Sequence, residues 1–318
     1  MPQSQVVVIG DANVDMVIRL PDRGLSSPDM TDSEPQLHGG GSAANVAVAL
    51  SRLGLDVSFI GTVGDDGYGR WVRDDLDHEG IDTKGLCTVP DAFTPMVMAL
   101  IEPDGERLVV IWPPEGGAHL SLQEDQINQG LIRPTAWLHT SGICFRASPA
   151  RETILHTMEL ARQTGLTVSI DLNLRMEVWG MDSETRMIFE RAIELSDVVF
   201  GNAEEEIMPI SGGNTIEAAM RNLSAGVRTV IARQGDKGAM VTTPQESFHA
   251  LAFPTIVVDT LGAGDAFDAG FIAARLAQLN LREAVRWGNA AAALKIGQVG
   301  ARGLPSIGEL KQLLGRDV

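Results

Sequence analysis

A chain of 318 residues with 44% hydrophobic content can bury a large core, and its length suits one large α/β domain or two smaller ones, of which a single domain is the favoured reading. The formal net charge of −17 argues against nucleic acid or an acidic membrane surface as a partner, because it repels phosphate groups. Cys87 and Cys144 are too few and too far apart for a disulfide scaffold or a cysteine-based zinc site; with no signal-peptide pattern at Met1–Gln5 and no apolar run of membrane-spanning length, a reduced, cytoplasmic setting is expected.

Gln5 to Gly10 reads as a buried strand, and Met16 to Leu20 as a second. Between them, Asp11, Asn13 and Asp15 alternate. An extended segment would point all three the same way, suited to grasping adjacent hydroxyls, whereas an Asx-type turn would explain the same residues without a ligand. Pro21 to Pro35 is a loop rich in Pro, Asp and Ser. It leads to His38-Gly39-Gly40-Gly41-Ser42 and a helix with a small apolar face that Gly54 stops, with the polar Asn45 in its first turns.

A strand over 57–61 and an amphipathic helix over 68–79 follow. The runs 95–101 and 107–112 flank Glu102-Pro103-Asp104-Gly105-Glu106 as a β-hairpin. With the second strand, this hairpin is expected to form a small projecting sheet, a lid drawn from about 12–38 and 93–113 of a single domain spanning 1–318. From Ala136 the rhythm is regular: strands at 136–140, 167–170, 198–200 and 228–232 alternate with helices at 149–164, 183–195 and 216–223. This predicts a mostly parallel central sheet with helices on both faces, where ligands bind at the carboxyl ends of the strands. Those ends carry Ser141-Gly142, Asp171-Leu172-Asn173-Leu174-Arg175, Gly201-Asn202-Ala203-Glu204-Glu205 and Arg233-Gln234-Gly235-Asp236-Lys237-Gly238, an inventory that suggests an active-site rim.

The chain's most informative stretch is Asp259-Thr260-Leu261-Gly262-Ala263-Gly264-Asp265. The β-branched run Thr255–Val258 reads as a strand into it, and an Ala-rich helix leads out from Ala266. A small-residue turn at a helix N-terminus presents N–H groups and partial positive charge to an anion. Asp265 beside it is either a helix cap or a base that accepts a proton while the N–H groups hold phosphate oxygens. Walker A, G-x-G-x-x-G and G-x-S-x-G patterns do not occur, and the six histidines show no metal-ligand spacing.

Gly40-Gly41-Ser42-Ala43-Ala44-Asn45, running on to Leu53-Gly54, resembles the N-terminal signature of the ribokinase-like (PfkB) carbohydrate kinases, and Asp259 to Gly270 resembles their C-terminal signature. The resemblance covers essentially the whole chain. It implies an ATP-dependent, Mg2+-using phosphotransferase that acts on a primary hydroxyl. Asp265 would be the base, and the N–H groups of Gly262, Ala263 and Gly264 the anion hole. Asn202 and Glu205 match the family's N-x-x-E motif, with Glu205 near the metal through water. Asn13, Asp15, Gly40, Gly41 and Asn45 match positions that contact sugar hydroxyls. Gly235 and Gly238 match a nucleotide-binding turn, and Asn289, in a helix over 281–296, lines the adenine pocket. Some relatives bind K+ through backbone carbonyls after the last long helix, where Gln298-Val299-Gly300-Ala301-Arg302 lies here.

The acceptor is less determined. Asp171-Leu172-Asn173-Leu174-Arg175, with Trp179 four residues on, resembles a pattern of fructokinases and 2-keto-3-deoxygluconate kinases. Arg175 would meet a substrate carboxylate or the transferring phosphate, or form a structural salt bridge. The aromatic-arginine segment of those subfamilies is replaced by Ile111-Trp112-Pro113-Pro114, which lacks the arginine. Trp112, His38 and Arg107 are further candidates from the lid, and Lys237 is either a phosphate-side cation or a solvated turn residue. A nucleoside kinase of the same fold and a noncatalytic sugar or nucleotide sensor are the rival readings. Exposed lid edges suggest a homodimer clasped through the lids.

Overall fold

The computed structural model describes residues 5–20, 34–102, 104 and 106–315. The loop expected over 21–35 lies almost wholly outside them. In chain order the elements are β1 (Val6–Ile9), β2 (Asn13–Arg19), β3 (Gln36–Gly40), α1 (Ser42–Arg52), β4 (Val57–Gly64), α2 (Gly67–His78), β5 (Asp82–Val89), β6 (Met96–Ile101) and β7 (Arg107–Trp112). Then come α3 (Gln129–Ile132), β8 (Trp137–Ser141), α4 (Ala150–Gln163), β9 (Thr167–Asp171), α5 (Met176–Trp179), α6 (Ser183–Glu194) and β10 (Val198–Asn202). The last third holds α7 (Met208–Ser211), α8 (Ile216–Ser224), β11 (Thr229–Arg233), β12 (Ala239–Thr242), β13 (Ser247–Ala250), α9 (Ala263–Leu276), α10 (Leu281–Ile296) and α11 (Ile307–Gly315).

Nine strands form one sheet in the order β13-β12-β11-β10-β9-β8-β1-β4-β5, parallel from β11 to β5 and antiparallel at the β12 and β13 edge. Because side chains alternate along a strand, β1 sends Val6 and Val8 into one core and Val7 and Ile9 into the other. The first core packs α1, α9, α10 and α11 on one face; the second packs α4, α6, α7 and α8 on the opposite face. The expected α/β architecture is thus the observed one. Among the described residues no helix is long and apolar enough to cross a membrane.

A second, four-stranded sheet has the order β3-β2-β6-β7. Its strands are the expected hairpin and second strand, joined by β3, which the Gly-rich run Leu37-His38-Gly39-Gly40 conceals from a pattern-based reading. The short β12 and β13, and the glycine-containing β5, escape for the same lack of strong alternation. One expectation fails outright: Thr255–Val258 is not a strand. With the sheet ended by β13, this segment runs along α10 instead; Thr255 Oγ1 donates to Ala293 O (3.2 Å) and Val258 N–H to Ile296 O (2.8 Å). Its apolar residues consequently face outward, Ile256 being 84% exposed.

Phe200 pins the sheet to α9. Its fully buried ring meets Phe271 and Phe267 edge-on, with centroids 5.3 and 6.4 Å away. Phe200→Ala should therefore cost about 3–5 kcal/mol of unfolding free energy in a denaturant titration; a loss below about 1 kcal/mol would show that α9 is held elsewhere.

Candidate active site

The carboxyl ends of β11, β10, β9, β8 and β1 lie side by side, and the N-termini of α1 and α9 meet above them. α1 starts at Gly41, where φ is +94° and a Cβ would collide with the backbone of Asp11 and Ala12. Asp11 caps this helix from across the chain, its carboxylate accepting from Ser42 N (2.8 Å) and Ala43 N (3.2 Å). So Asp11 does not join Asn13 and Asp15 as a third hydroxyl-grasping group.

α9 starts at Gly262, whose φ of +80° is open to glycine and whose missing side chain lets Ala301 approach. Of the N–H groups expected to hold an anion, that of Ala263 turns to Thr260 O (3.2 Å), and Ala266 makes the first bond into the helix, to Gly262 O (3.0 Å). The first-turn donors at the open helix end are then those of Gly264 and Asp265. Asp265 is buried, its two oxygens accepting from Ser42 Oγ and Asn45 Nδ2, each at 2.8 Å. Burial raises its pKa to about 6; the Asn45 bond opposes the rise, and the nearby Asp171 charge adds to it. A helix N-terminus beside a carboxylate with such a pKa can hold an anion and accept a proton.

Beneath this turn, Arg233 at the end of β11 gathers three carboxylates. It donates to Asp171 Oδ1 (2.6 Å) and Asp268 Oδ1 (2.9 Å) and stands 3.8 Å from Glu206 Oε2. Its guanidinium also lies against Gly264, where a Cβ would come within 2.8 Å of Nη1. Burial disfavours the Arg233 charge, but Asp171, Asp268 and Glu206 outweigh this and hold it protonated. One cation cannot offset so many buried anions. Burial, reinforced by Asp171, pushes Glu206 up to about 7 and Asp268 well above the usual carboxylate range.

Asn13, Asp15 and Gly40 come together on the second sheet. Asn13 Nδ2 donates to Asp15 Oδ1 (2.7 Å), and a Cβ on Gly40, opposite Asn13 in the ladder, would intrude on both side chains. Burial raises Asp15 to about 6. Arg175 is exposed, with φ +48°, at the start of α5, and its charge acts on Asp11. Asn173 is buried near Ser141, and Trp179 is covered by Arg146, whose guanidinium carbon lies 3.6 Å from the ring centroid.

Asn202 and Glu205 open a single π-helical turn, Ala203–Ile207, at the end of β10. The Asn202 side chain accepts from the N–H groups of Glu204 and Glu205, leaving the Glu205 carboxylate exposed. Gly235 and Gly238 bound a turn after β11, with Lys237 exposed between them. Gly238 and Asn289 converge on one segment: a Cβ on Gly238 would strike Ala250 and Ala252, and Asn289 Nδ2 donates to Ala250 O (3.2 Å) and Leu251 O (3.1 Å). On the second sheet, Trp112 packs edge-on against Phe93 and His38 is exposed; the Arg107 side chain lies outside the described portion.

The residues that sequence reasoning overlooks are those whose role is to hold others. Asp268 follows Asp265 by three positions, which places both near one helix face, and Glu206 follows directly on the N-x-x-E pair. Spacing alone could have nominated Asp268. Nothing local distinguishes Ser42 or Arg146.

Comparison with known proteins adds an independent line. The family description "pfkB family carbohydrate kinase" matches residues 3–307. A fructokinase of Vibrio alginolyticus is 30% identical over 98% of this chain and 100% of its own. A 5-dehydro-2-deoxygluconokinase of Photobacterium profundum is 33% identical over 91% of this chain and 88% of its own. Among solved structures, a double-mutant fructokinase of Vibrio cholerae O395, in fructose, ADP and potassium ion bound form, superposes with a TM-score of 0.83 at 30% identity, covering 98% of each chain.

Arg233→Met should destabilise the protein by about 3–5 kcal/mol near neutral pH, because it strips the cation from buried carboxylates. Without that cation their folded pKa values rise further above the unfolded ones. The folded variant then holds extra protons, and its stability should recover as pH falls from 8 towards 5. Denaturant titrations at several pH values measure this, and a pH-independent deficit would contradict it.

Proposed function

This chain belongs to the pfkB family of carbohydrate kinases, phosphotransferases acting on sugar hydroxyls, and from that premise we propose that it moves the γ-phosphoryl group of ATP to a primary hydroxyl of a sugar or sugar acid, with Asp265 as general base. The observation that carries this reading is the buried Asp265 carboxylate, held by Ser42 and Asn45 at the open N-terminus of α9. In the step, the acceptor oxygen forms a bond to phosphorus, the bond from phosphorus to the ADP oxygen breaks, and the hydroxyl proton passes to Asp265. The N–H groups of Gly264 and Asp265, at the open end of the helix, stabilise the charge on the transferring phosphoryl oxygens. Asn13, Asp15, Gly40, Gly41 and Asn45 orient the acceptor, and the Gly235–Gly238 turn and Asn289 shape the nucleotide side.

The residues present fit a hydrated Mg2+ rather than a metal caged by protein: among the described residues no three His, Cys, Asp or Glu groups are gathered to hold an ion, and the Glu205 carboxylate is exposed next to Asn202. Glu205 would hold it through water, and the ion, when bound, offsets phosphate charge. Arg233 and the raised pKa values of Asp268 and Glu206 reduce the negative charge beneath the phosphate site.

For the acceptor, Arg175 at the rim suits a carboxylate, as in a ketonic sugar acid; a neutral ketose would leave it for the phosphate. A cytoplasmic setting, where thiols such as Cys87 and Cys144 stay reduced, suits the chemistry. The second sheet is read as a lid, and its edge strand β7 as a dimer seam. Leu108, Val109, Val110, Ile111 and Trp112 are all at least 38% exposed, so both faces of an apolar edge are open to a second copy.

Phosphate transfer from labelled ATP to a panel of ketoses, sugar acids, pentoses and nucleosides identifies the acceptor; a sugar or sugar acid should turn over fastest, and a nucleoside outrunning both would reverse the reading. Asp265→Asn should lower kcat by orders of magnitude while ADP binding survives, and near-normal turnover would remove Asp265 as base. For the wild type, kcat/KM should be level above pH 7 and fall as Asp265 protonates below about 6. In light scattering the protein should be a dimer and Ile111→Lys a monomer; a monomeric wild type would remove the seam.

A further inference from the structure

Asp259, three residues before Gly262, is tied to the loop that follows α10. Its N–H donates to Ile296 O (3.1 Å), and its carboxylate accepts from Leu261 N (3.0 Å) and Gly300 N (2.8 Å). On the same loop, Ala301 lies directly against Gly262, where a Cβ would stand 2.9 Å from its carbonyl oxygen. The shape of the α9 N-terminus therefore depends on how these two loops are joined.

At their junction sits Lys295, in the last turn of α10, with no exposed surface. Its ammonium donates to Asp259 O (2.9 Å) and Gln298 O (3.3 Å), one carbonyl from each loop. A buried lysine in an otherwise Ala-rich helix face must gain enough from such contacts to offset its desolvation. Burial lowers the Lys295 pKa from the usual lysine value, and the Asp259 and Asp265 carboxylates oppose that shift; the helix C-terminus adds partial negative charge. This is the environment a monovalent metal ion would occupy: backbone carbonyls converging from two loops beside acidic groups.

We infer that Lys295 is a built-in cation, a positioning residue whose ammonium does in this chain what a potassium ion would do at the same two loops. A potassium ion of the kind some relatives bind where 298–302 lies does not fit here, because the Asp259 and Gln298 carbonyls already serve the ammonium. Lys295 is too far along the chain to be part of the α9 turn, and it acts by holding Asp259, and through it the turn, in place. The significance for phosphate binding rests on the reading of the α9 N-terminus given above; the cation replacement itself does not.

The test uses the full-length protein in potassium, sodium, ammonium or tetramethylammonium chloride at equal ionic strength, with thermal melting and calorimetric ADP binding as readouts. Wild type should melt at one temperature in potassium, sodium and tetramethylammonium, and bind ADP equally in each. Lys295→Ala should melt lower and bind ADP about tenfold more weakly in tetramethylammonium, the loss of a charged hydrogen-bond donor. Potassium or ammonium should restore both, whereas Lys295→Met, which fills the space without charge, should not respond. A saturable rise in wild-type melting temperature with potassium would overturn the inference, as would a Lys295→Ala protein indistinguishable from wild type in every salt or one that no cation restores. If Lys295→Ala does not fold in any salt, the wild-type comparison decides alone. Should wild type bind no ADP, the nucleotide reading falls while the melting data still judge the cation.

Discussion

The site depends on one buried carboxylate held by the first turn of another helix. Ser42 and Asn45 each give a hydrogen bond to Asp265, so the N-termini of α1 and α9, more than two hundred residues apart in sequence, are locked to a common point. Neither helix could shift without stranding a buried acceptor or donor. The rest of the arrangement protects this contact. Asp11 fixes the start of α1 from β1, Gly41 lets the two backbones cross, and the loop after α10 supports Gly262 from behind.

Crowding of negative charge is the cost of this design, and it also sets the basicity of Asp265, the proposed base. Asp11, Asp171, Asp265, Asp268 and Glu206 are drawn to the same strand ends, and Arg233 is the cation that Asp171, Asp268 and Glu206 share. The imbalance lifts several pKa values towards neutrality. For Asp265 the lift leaves a carboxylate that is ionised above about pH 6 yet more basic than a free one. The same raised groups contribute stability that is fully present below their unfolded pKa values and lost as pH rises through about 6 to 7, the folded values of Asp265, Asp15 and Glu206. Site chemistry and global stability therefore pull in opposite directions across that window.

Much of this was legible in the sequence because the informative residues are backbone-determining ones. Gly40-Gly41-Ser42 and Gly262-Ala263-Gly264-Asp265 announce close approach and a helix start whatever the packing, and the αβ rhythm after Ala136 orders the strands whose ends carry Asp171, Asn202 and Arg233. What stayed hidden depends on tertiary contact. Thr255–Val258 has strand chemistry but no neighbouring strand, so the backbone of α10 takes its hydrogen bonds. Asp11 belongs by pattern with Asn13 and Asp15, yet the nearer unmet need is the start of α1. Lys295 looks like one more solvated helix residue until the carbonyls of Asp259 and Gln298 are seen around its ammonium.

The central claim is that Asp265 faces the reacting hydroxyl while the N–H groups beside it hold the phosphate. A crystal structure with ADP, a planar phosphoryl mimic such as aluminium fluoride, Mg2+ and the best acceptor from the panel tests it most directly. The acceptor hydroxyl should lie within about 3 Å of an Asp265 oxygen, with the mimic in line between it and ADP against the Gly262–Asp265 turn. A mimic bound away from that turn, or an acceptor hydroxyl facing a different base, would contradict the account.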